Sequence, residues 1–157
     1  DRSNKKLSQM AEKKSKLVEI KTKQTLASVA AFIDSVPDEQ KRKDSFAILE
    51  MMKKITGEQP EMWGGSIIGF GNIHLKYDSG RELDWMKIGF SPRAQNLTLY
   101  VLCNSPEQNE LLKKLGRHKT GKGCLYINKI SDVNIDVLKK VINYGYSRKG
   151  ALYAQQS

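Results

Sequence analysis

The sequence predicts an α+β domain, a small antiparallel sheet with helices packed mainly on one face. Three observations lead to that class. Apolar residues recur at helical spacing before Gly57, alternate with a period of two from Ser66, and return to helical spacing after Ser105. The connections between these segments are short, which favours antiparallel strands layered under helices. A chain of 157 residues, 39% hydrophobic and 28% charged, suits one domain that buries a core without a disulfide or metal staple.

Residues 1–24 read as a basic, flexible tail and 146–157 as a C-terminal tail, leaving 25–145 as the domain. Val29, Phe32 and Ile33 mark a short helix that stops before Pro37. Ser35-Val36-Pro37-Asp38-Glu39 then opens a second helix, with proline and acids in its first turn. Phe46, Leu49, Met52 and Ile55 give that helix its apolar stripe, and Gly57 stops it. Ile67–Tyr77 is expected as one strand, bulged near Gly69 or Gly71, with Asp78-Ser79-Gly80-Arg81 as the following turn. Trp85–Ser91 and Asn96–Cys103 are the next strands, joined through Pro92. Ser105-Pro106-Glu107-Gln108 has capping-box character before Leu111, Leu112 and Leu115, and Gly116 closes that helix. Gly123–Ile127 is a short strand, and Ile135, Leu138, Val141 and Ile142 mark the last helix. The predicted order is α-α-β-β-β-α-β-α.

The net charge of +10 is unevenly placed. Residues 1–23 hold 8 basic and 3 acidic side chains, 24–110 hold 9 and 12, and 111–157 hold 10 and 2. A mildly acidic body is therefore flanked by basic ends, unlike a uniformly basic nucleic-acid footprint. No apolar run has membrane-span length and the N-terminus has no signal-peptide core. Cys103 and Cys124 read as reduced, buried thiols, so a cytoplasmic setting is expected.

Alternation sorts the strands into two faces. Ile73, Leu75, Met86, Ile88, Phe90, Leu97, Leu99, Val101, Leu125 and Ile127 form a core face. The opposite face carries His74, Lys76, Trp85, Lys87, Thr98, Tyr100, Cys124 and Tyr126; of these Trp85, Tyr100 and Tyr126 make a candidate binding surface. In Gly116–Gly123, Arg117, His118, Lys119 and Lys122 cluster among glycines whose N–H groups are open to an anion. The run nearly matches a nucleotide P-loop, but it passes from helix into strand and has Gly123 where the magnesium-binding hydroxyl belongs. Phe90-Ser91-Pro92-Arg93 offers a further guanidinium for a carboxylate or phosphate. The candidate anion site is thus Arg93, His118, Lys119 and Lys122. Cys103, Cys124, His74 and His118 form no nucleophile–base–orienter set, so an enzyme is not expected. Carboxylates at Asp38 and Glu39, and at Asp78, Glu82 and Asp84, are weak candidates for a hard cation.

Several motifs occur in order: Met62-Trp63-Gly64, Ile68-Gly69-Phe70-Gly71, Tyr77-Asp78-Ser79-Gly80-Arg81-Glu82, Gly89-Phe90-Ser91-Pro92-Arg93, Leu97-Thr98-Leu99-Tyr100, Leu115-Gly116-Arg117-His118-Lys119-Thr120-Gly121-Lys122 and Cys124-Leu125-Tyr126-Ile127. With them the chain resembles the YdhG-like family of bacterial domains of unknown function, over about residues 25–145. It departs from that family at Ala94, where a lysine is usual, and at Gly123, where a serine is usual. The resemblance implies a frataxin-like fold, and some members are described as iron chaperones. It also marks Trp63 and Arg81 as motif residues and gives Trp85 a counterpart in frataxin's partner surface. A frataxin-like acidic ridge is not evident, since Lys41-Arg42-Lys43 interrupts the acidic start of the second helix. The expected function is a small non-enzymatic binding protein. Iron handling ranks first, an anion-binding module for a metabolite or protein tail second, and nucleic-acid binding third; no membrane partner is expected.

Overall fold

The expected α+β class is observed in a computed structural model, which describes residues 25–156, the side chains of Leu75 and of 149–156 excepted. The tail expected over 1–24 lies outside the described residues. Helix α1 covers 25–34 and ends where the Ser35 hydroxyl donates to the Phe32 carbonyl (2.6 Å). Helix α2, Glu39–Thr56, starts as its sequence predicts, since the Asp38 carboxylate caps it by accepting from the Lys41 N–H (2.8 Å). Gly57 stops it at φ +68°, the left-handed conformation that glycine adopts without strain.

Strands β1 (Glu61–Trp63), β2 (Ile67–Phe70), β5 (Ile88–Pro92), β6 (Leu97–Tyr100), β7 (Lys119–Thr120) and β8 (Leu125–Ile127) form a six-stranded antiparallel sheet in the order β1-β2-β5-β6-β8-β7. Strands β3 (Ile73–Lys76) and β4 (Glu82–Trp85) pair separately as a two-stranded hairpin. Helix α3, Pro106–Lys113, and helix α4, Ile135–Gln156, follow β6 and β8, with a short 3-10 turn at Ile130–Asp132 before α4.

The expected single strand 67–77 is two strands in different sheets. Gly71, at φ +78°, breaks the extended backbone, and β3 leaves to pair with β4. Strands β1 and β7 were not expected, since Glu61-Met62-Trp63 and Lys119-Thr120 carry no apolar alternation to read. The capping box at Ser105 does not form. Its hydroxyl makes no cap hydrogen bond and instead meets the Glu107 carboxylate and the Tyr144 hydroxyl from α4. Helix α4 runs beyond 145, where the last helix was expected to stop.

All four helices contribute to one core on one side of the large sheet. Val29, Ile33, Ile48, Met52, Leu112, Leu138, Val141 and Ile142 meet Ile68, Phe70, Ile88, Phe90, Leu97, Leu99, Leu125 and Ile127 there. Each large side chain fully withdrawn from water contributes about 1.5–3 kcal/mol. A buried amide pins the layer. Gln108 Nε2 donates to the Val101 carbonyl (2.8 Å) and the Val141 carbonyl (3.1 Å), while its Oε1 accepts from the Cys103 N–H (2.9 Å). This leaves the outer face of the sheet as the surface on which function can be built.

Candidate functional site

One half of the outer face is closed. Gly69 and Gly89 are paired on β2 and β5, and over them lie the Trp63 indole and the Met86 thioether. A Cβ added at Gly69 would run into Trp63, 2.7 Å from its Nε1, and sit 2.8 Å from Met86 Sδ. Trp85 meets Trp63 edge to face at 5.7 Å between ring centroids. Two expectations change here. Met86 is buried as predicted, but on the outer side against these glycines, because the chain bends between β4 and β5. Trp85 does not share a surface with Tyr100 and Tyr126, because the break at Gly71 carries it off with the hairpin. Trp63, marked as a motif residue, is the other half of this cover.

The other half is open. Gly89 pairs with Tyr100, Ser91 with Thr98, and Thr98 with Tyr126, so Tyr100, Thr98 and Tyr126 rise on the outer side of β6 and β8. A cavity of about 510 Å³ runs from Arg93 and Asn96 over Thr98 to Lys119 and Tyr126. A second, of about 310 Å³, shares Gln95, Asn96, Lys119 and Tyr126 and adds Arg117, His118 and Asn128. The antiparallel order β5-β6-β8-β7 brings Arg93, at the end of β5, to face the loop that enters β7.

Specific contacts position Arg93, His118 and Tyr126. Arg93 Nη2 donates to the Tyr100 hydroxyl (3.0 Å). The Arg93 turn is tied to α2 by the Lys41 ammonium, which donates to the carbonyls of Arg93 (2.6 Å) and Ala94 (2.9 Å). His118 Nδ1 donates to the Gly116 carbonyl (2.7 Å), which leaves Nε2 for a ligand. Tyr126 lies along Gly121, where a Cβ would be 2.8 Å from the phenol oxygen. The neighbouring Cys124 pushes the Tyr126 phenol above its ordinary pKa, so it stays an O–H donor at neutral pH. Among the described residues no acidic side chain forms an ion pair with Arg93, Arg117, His118 or Lys119.

Three of the four predicted anion-site residues, Arg93, His118 and Lys119, therefore come together, while Lys122 is exposed in the β7–β8 turn and lines neither cavity. Arg81 is an exposed turn residue whose carbonyl accepts from the Tyr77 N–H (2.8 Å). Four of the five carboxylates considered for a cation are engaged elsewhere. Asp38 caps α2, Glu39 pairs with Lys43 at 3.4 Å, and His74 is held by Asp84 (2.7 Å) and Glu82 (3.7 Å). Asp78 lies in the exposed turn between β3 and β4. Among the described residues no three His, Cys, Asp or Glu side chains gather into a group able to hold a metal ion. Cys103 and Cys124 form no disulfide with one another and are half-buried rather than buried, and the Cys103 thiol donates to Gln108 Oε1 (3.4 Å). No helix among the described residues is long and apolar enough to cross a membrane.

Sequence reasoning missed the amides of Gln95, Asn96 and Asn128 and the anchoring by Lys41, which carry no local signature. Arg117 was visible in its loop cluster. Compared with known proteins, the chain matches no family model, no curated protein and no solved structure.

Proposed function

We propose that this domain is a non-enzymatic binding module that takes an anionic group, phosphate or carboxylate, on the open half of its outer sheet face. The carrying observation is the meeting of Arg93, Arg117, His118 and Lys119 around adjoining cavities, none with an acidic partner among the described residues. Arg93, Arg117 and Lys119, gathered without counter-charge, repel one another, and an anion relieves that repulsion through charge-assisted hydrogen bonds, with His118 as a further hydrogen-bonding group. Arg93 offers a planar fork for two oxygens, Lys119 a point charge, and Tyr126 a neutral O–H. A reducing, cytoplasmic setting agrees with two thiols that form no disulfide among the described residues. Iron handling, which the family resemblance implies, has weaker support, since its candidate carboxylates are spread over α2 and the β3–β4 hairpin and Glu82 and Asp84 already hold His74.

The test is a titration of the full chain with inorganic pyrophosphate, followed through backbone amide resonances. Saturable shifts are expected at 93–98 and 117–126, and should vanish in an Arg93→Gln, Lys119→Gln double variant. Unchanged shifts in that variant would end the proposal. A parallel anaerobic titration with ferrous iron that saturates at 38–39 or 78–84 would transfer the reading to iron.

A further inference from the structure

We infer that the anion bound there is the phosphate of a nucleoside phosphate, free or within a single strand, with its base against Tyr126; this rests on the anion-binding reading above. Size is the first argument. One phosphate fills a small part of adjoining cavities of about 510 and 310 Å³, which have the scale of a site for a whole small molecule.

Charge placement is the second argument. Arg93 ends β5 and Arg117 enters β7, on opposite sides of β6 and β8. Three strand spacings, about 14 Å, separate those strands. Lys119 lines both cavities from the β7 side, and the rest of the span carries neutral groups: Thr98, Asn96 and the Tyr126 ring. The ligand therefore needs an uncharged body as well as an anionic end.

The third argument is the chemistry of that span. The Tyr126 ring is backed by Gly121 and lines both cavities. An aromatic ring set among cations on a sheet face is how proteins stack unpaired bases. Asn96 accepts from the Thr98 hydroxyl through Oδ1 (2.6 Å), which leaves its amide N–H groups for a base edge, and Gln95 adds a second amide. An acidic peptide would use the cations but gain little from the ring and amides.

The test compares inorganic pyrophosphate, deoxyribose 5-phosphate, thymidine 5′-monophosphate, a thymidine tetranucleotide and a tetraglutamate peptide on the full chain by calorimetry. The nucleotide should bind about tenfold tighter than the sugar phosphate, the gain of one base stacked on an aromatic ring. Tyr126→Leu should erase that gain, whereas Tyr126→Phe, which loses the same hydroxyl, should keep it; both variants should weaken pyrophosphate to the same small extent, through the lost O–H. A tetranucleotide bound more than fourfold tighter than the mononucleotide assigns the ligand to a strand, and equal affinity per site assigns it to free nucleotide; both uphold the base contact. Equal affinity for nucleotide and sugar phosphate, a gain that survives Tyr126→Leu, or tighter binding of tetraglutamate would overturn the inference, while pyrophosphate binding keeps the anion reading intact. No binding of any probe, pyrophosphate included, removes both.

Discussion

The two halves of the outer sheet face share strand β5 yet end in opposite states. Over β2 and the start of β5 the outward positions are Gly69 and Gly89, and the space they leave is filled by Trp63 and Met86, with Trp85 against Trp63. Over β6 and β8 the outward positions are Thr98, Tyr100 and Tyr126; Thr98 is buried between the two half-exposed tyrosines, with Arg93 and Lys119 at their rim. The cavity beside the closed half is lined by Glu58 and Glu61, that over the open half by cations. Small outward residues invite the chain to fold back and cover them, while large polar aromatics occupy the position and hold a surface open. On the reading proposed above, the closed half stabilises the domain and the open half takes the anion.

The sharpest way to break the contrast is to fill the trough. Gly69→Val places two methyls where the Trp63 indole and Met86 thioether now sit, so the cover must lift or the strands must part. Overpacking of this kind costs about 3 kcal/mol. The urea midpoint should fall accordingly, and a loss below about 1 kcal/mol would show that the cover is adaptable. Arg93→Ala and Lys119→Ala on the open half remove exposed cations that lack acidic partners, and should leave the midpoint within about 0.5 kcal/mol.

A smaller effect sharpens the same division. Lys41 belongs to α2, on the core side, yet its ammonium reaches the Arg93 and Ala94 carbonyls and so sets the turn from which Arg93 projects. Lys41→Met keeps most of the aliphatic stem and removes both hydrogen bonds. Stability should fall by about 1 kcal/mol, since the group is only half-buried. Pyrophosphate affinity should fall about threefold through looser positioning, with the resonance shifts now spread along 92–96. Unaltered affinity would mean that the turn is held by its strands alone.

How much of this was legible in the sequence follows the same physical line. Helix α2 and strands β5 and β6 were readable because their apolar residues keep a period over several turns or pleats, and the short β8 because Leu125 and Ile127 flank Tyr126 in alternation after Gly123. The turn at 78–81 was readable, but the departure of its hairpin from the main sheet was not, because one glycine at positive φ redirects an otherwise unbroken alternation, and Gly69 and Gly71 both fitted a bulge. Arg93, His118 and Lys119 were readable as motifs. Their meeting was not fully readable, since it depends on β8 lying between β6 and β7 and on a two-residue β7 whose pairing is non-local. Lys41 was read as a cation interrupting an acidic ridge, and only the fold shows which carbonyls it serves.

The faintest expected effect lies on the exposed side of the hairpin that forms the cover. His74 is opposite Asp84 across the two strands, and Glu82 is diagonal to it. The hydrogen bond to Asp84, with charge attraction from Asp84 and Glu82, raises the His74 pKa above its ordinary 6.5. A raised folded-state pKa favours the protonated, folded hairpin. The contribution is therefore fully present below about pH 6.5 and is lost as pH rises through the higher folded value. The group is exposed and the pair is screened by salt, so the effect is small. Thermal midpoints of the native chain and of His74→Gln, measured between pH 5.5 and 8.5 at low salt, should differ most at pH 5.5 and converge by pH 8.5. In 0.5 M salt the difference should shrink throughout. A gap that widens with pH would mean that the imidazole serves the hairpin by packing rather than by charge, and the cover over Gly69 would then be independent of protonation.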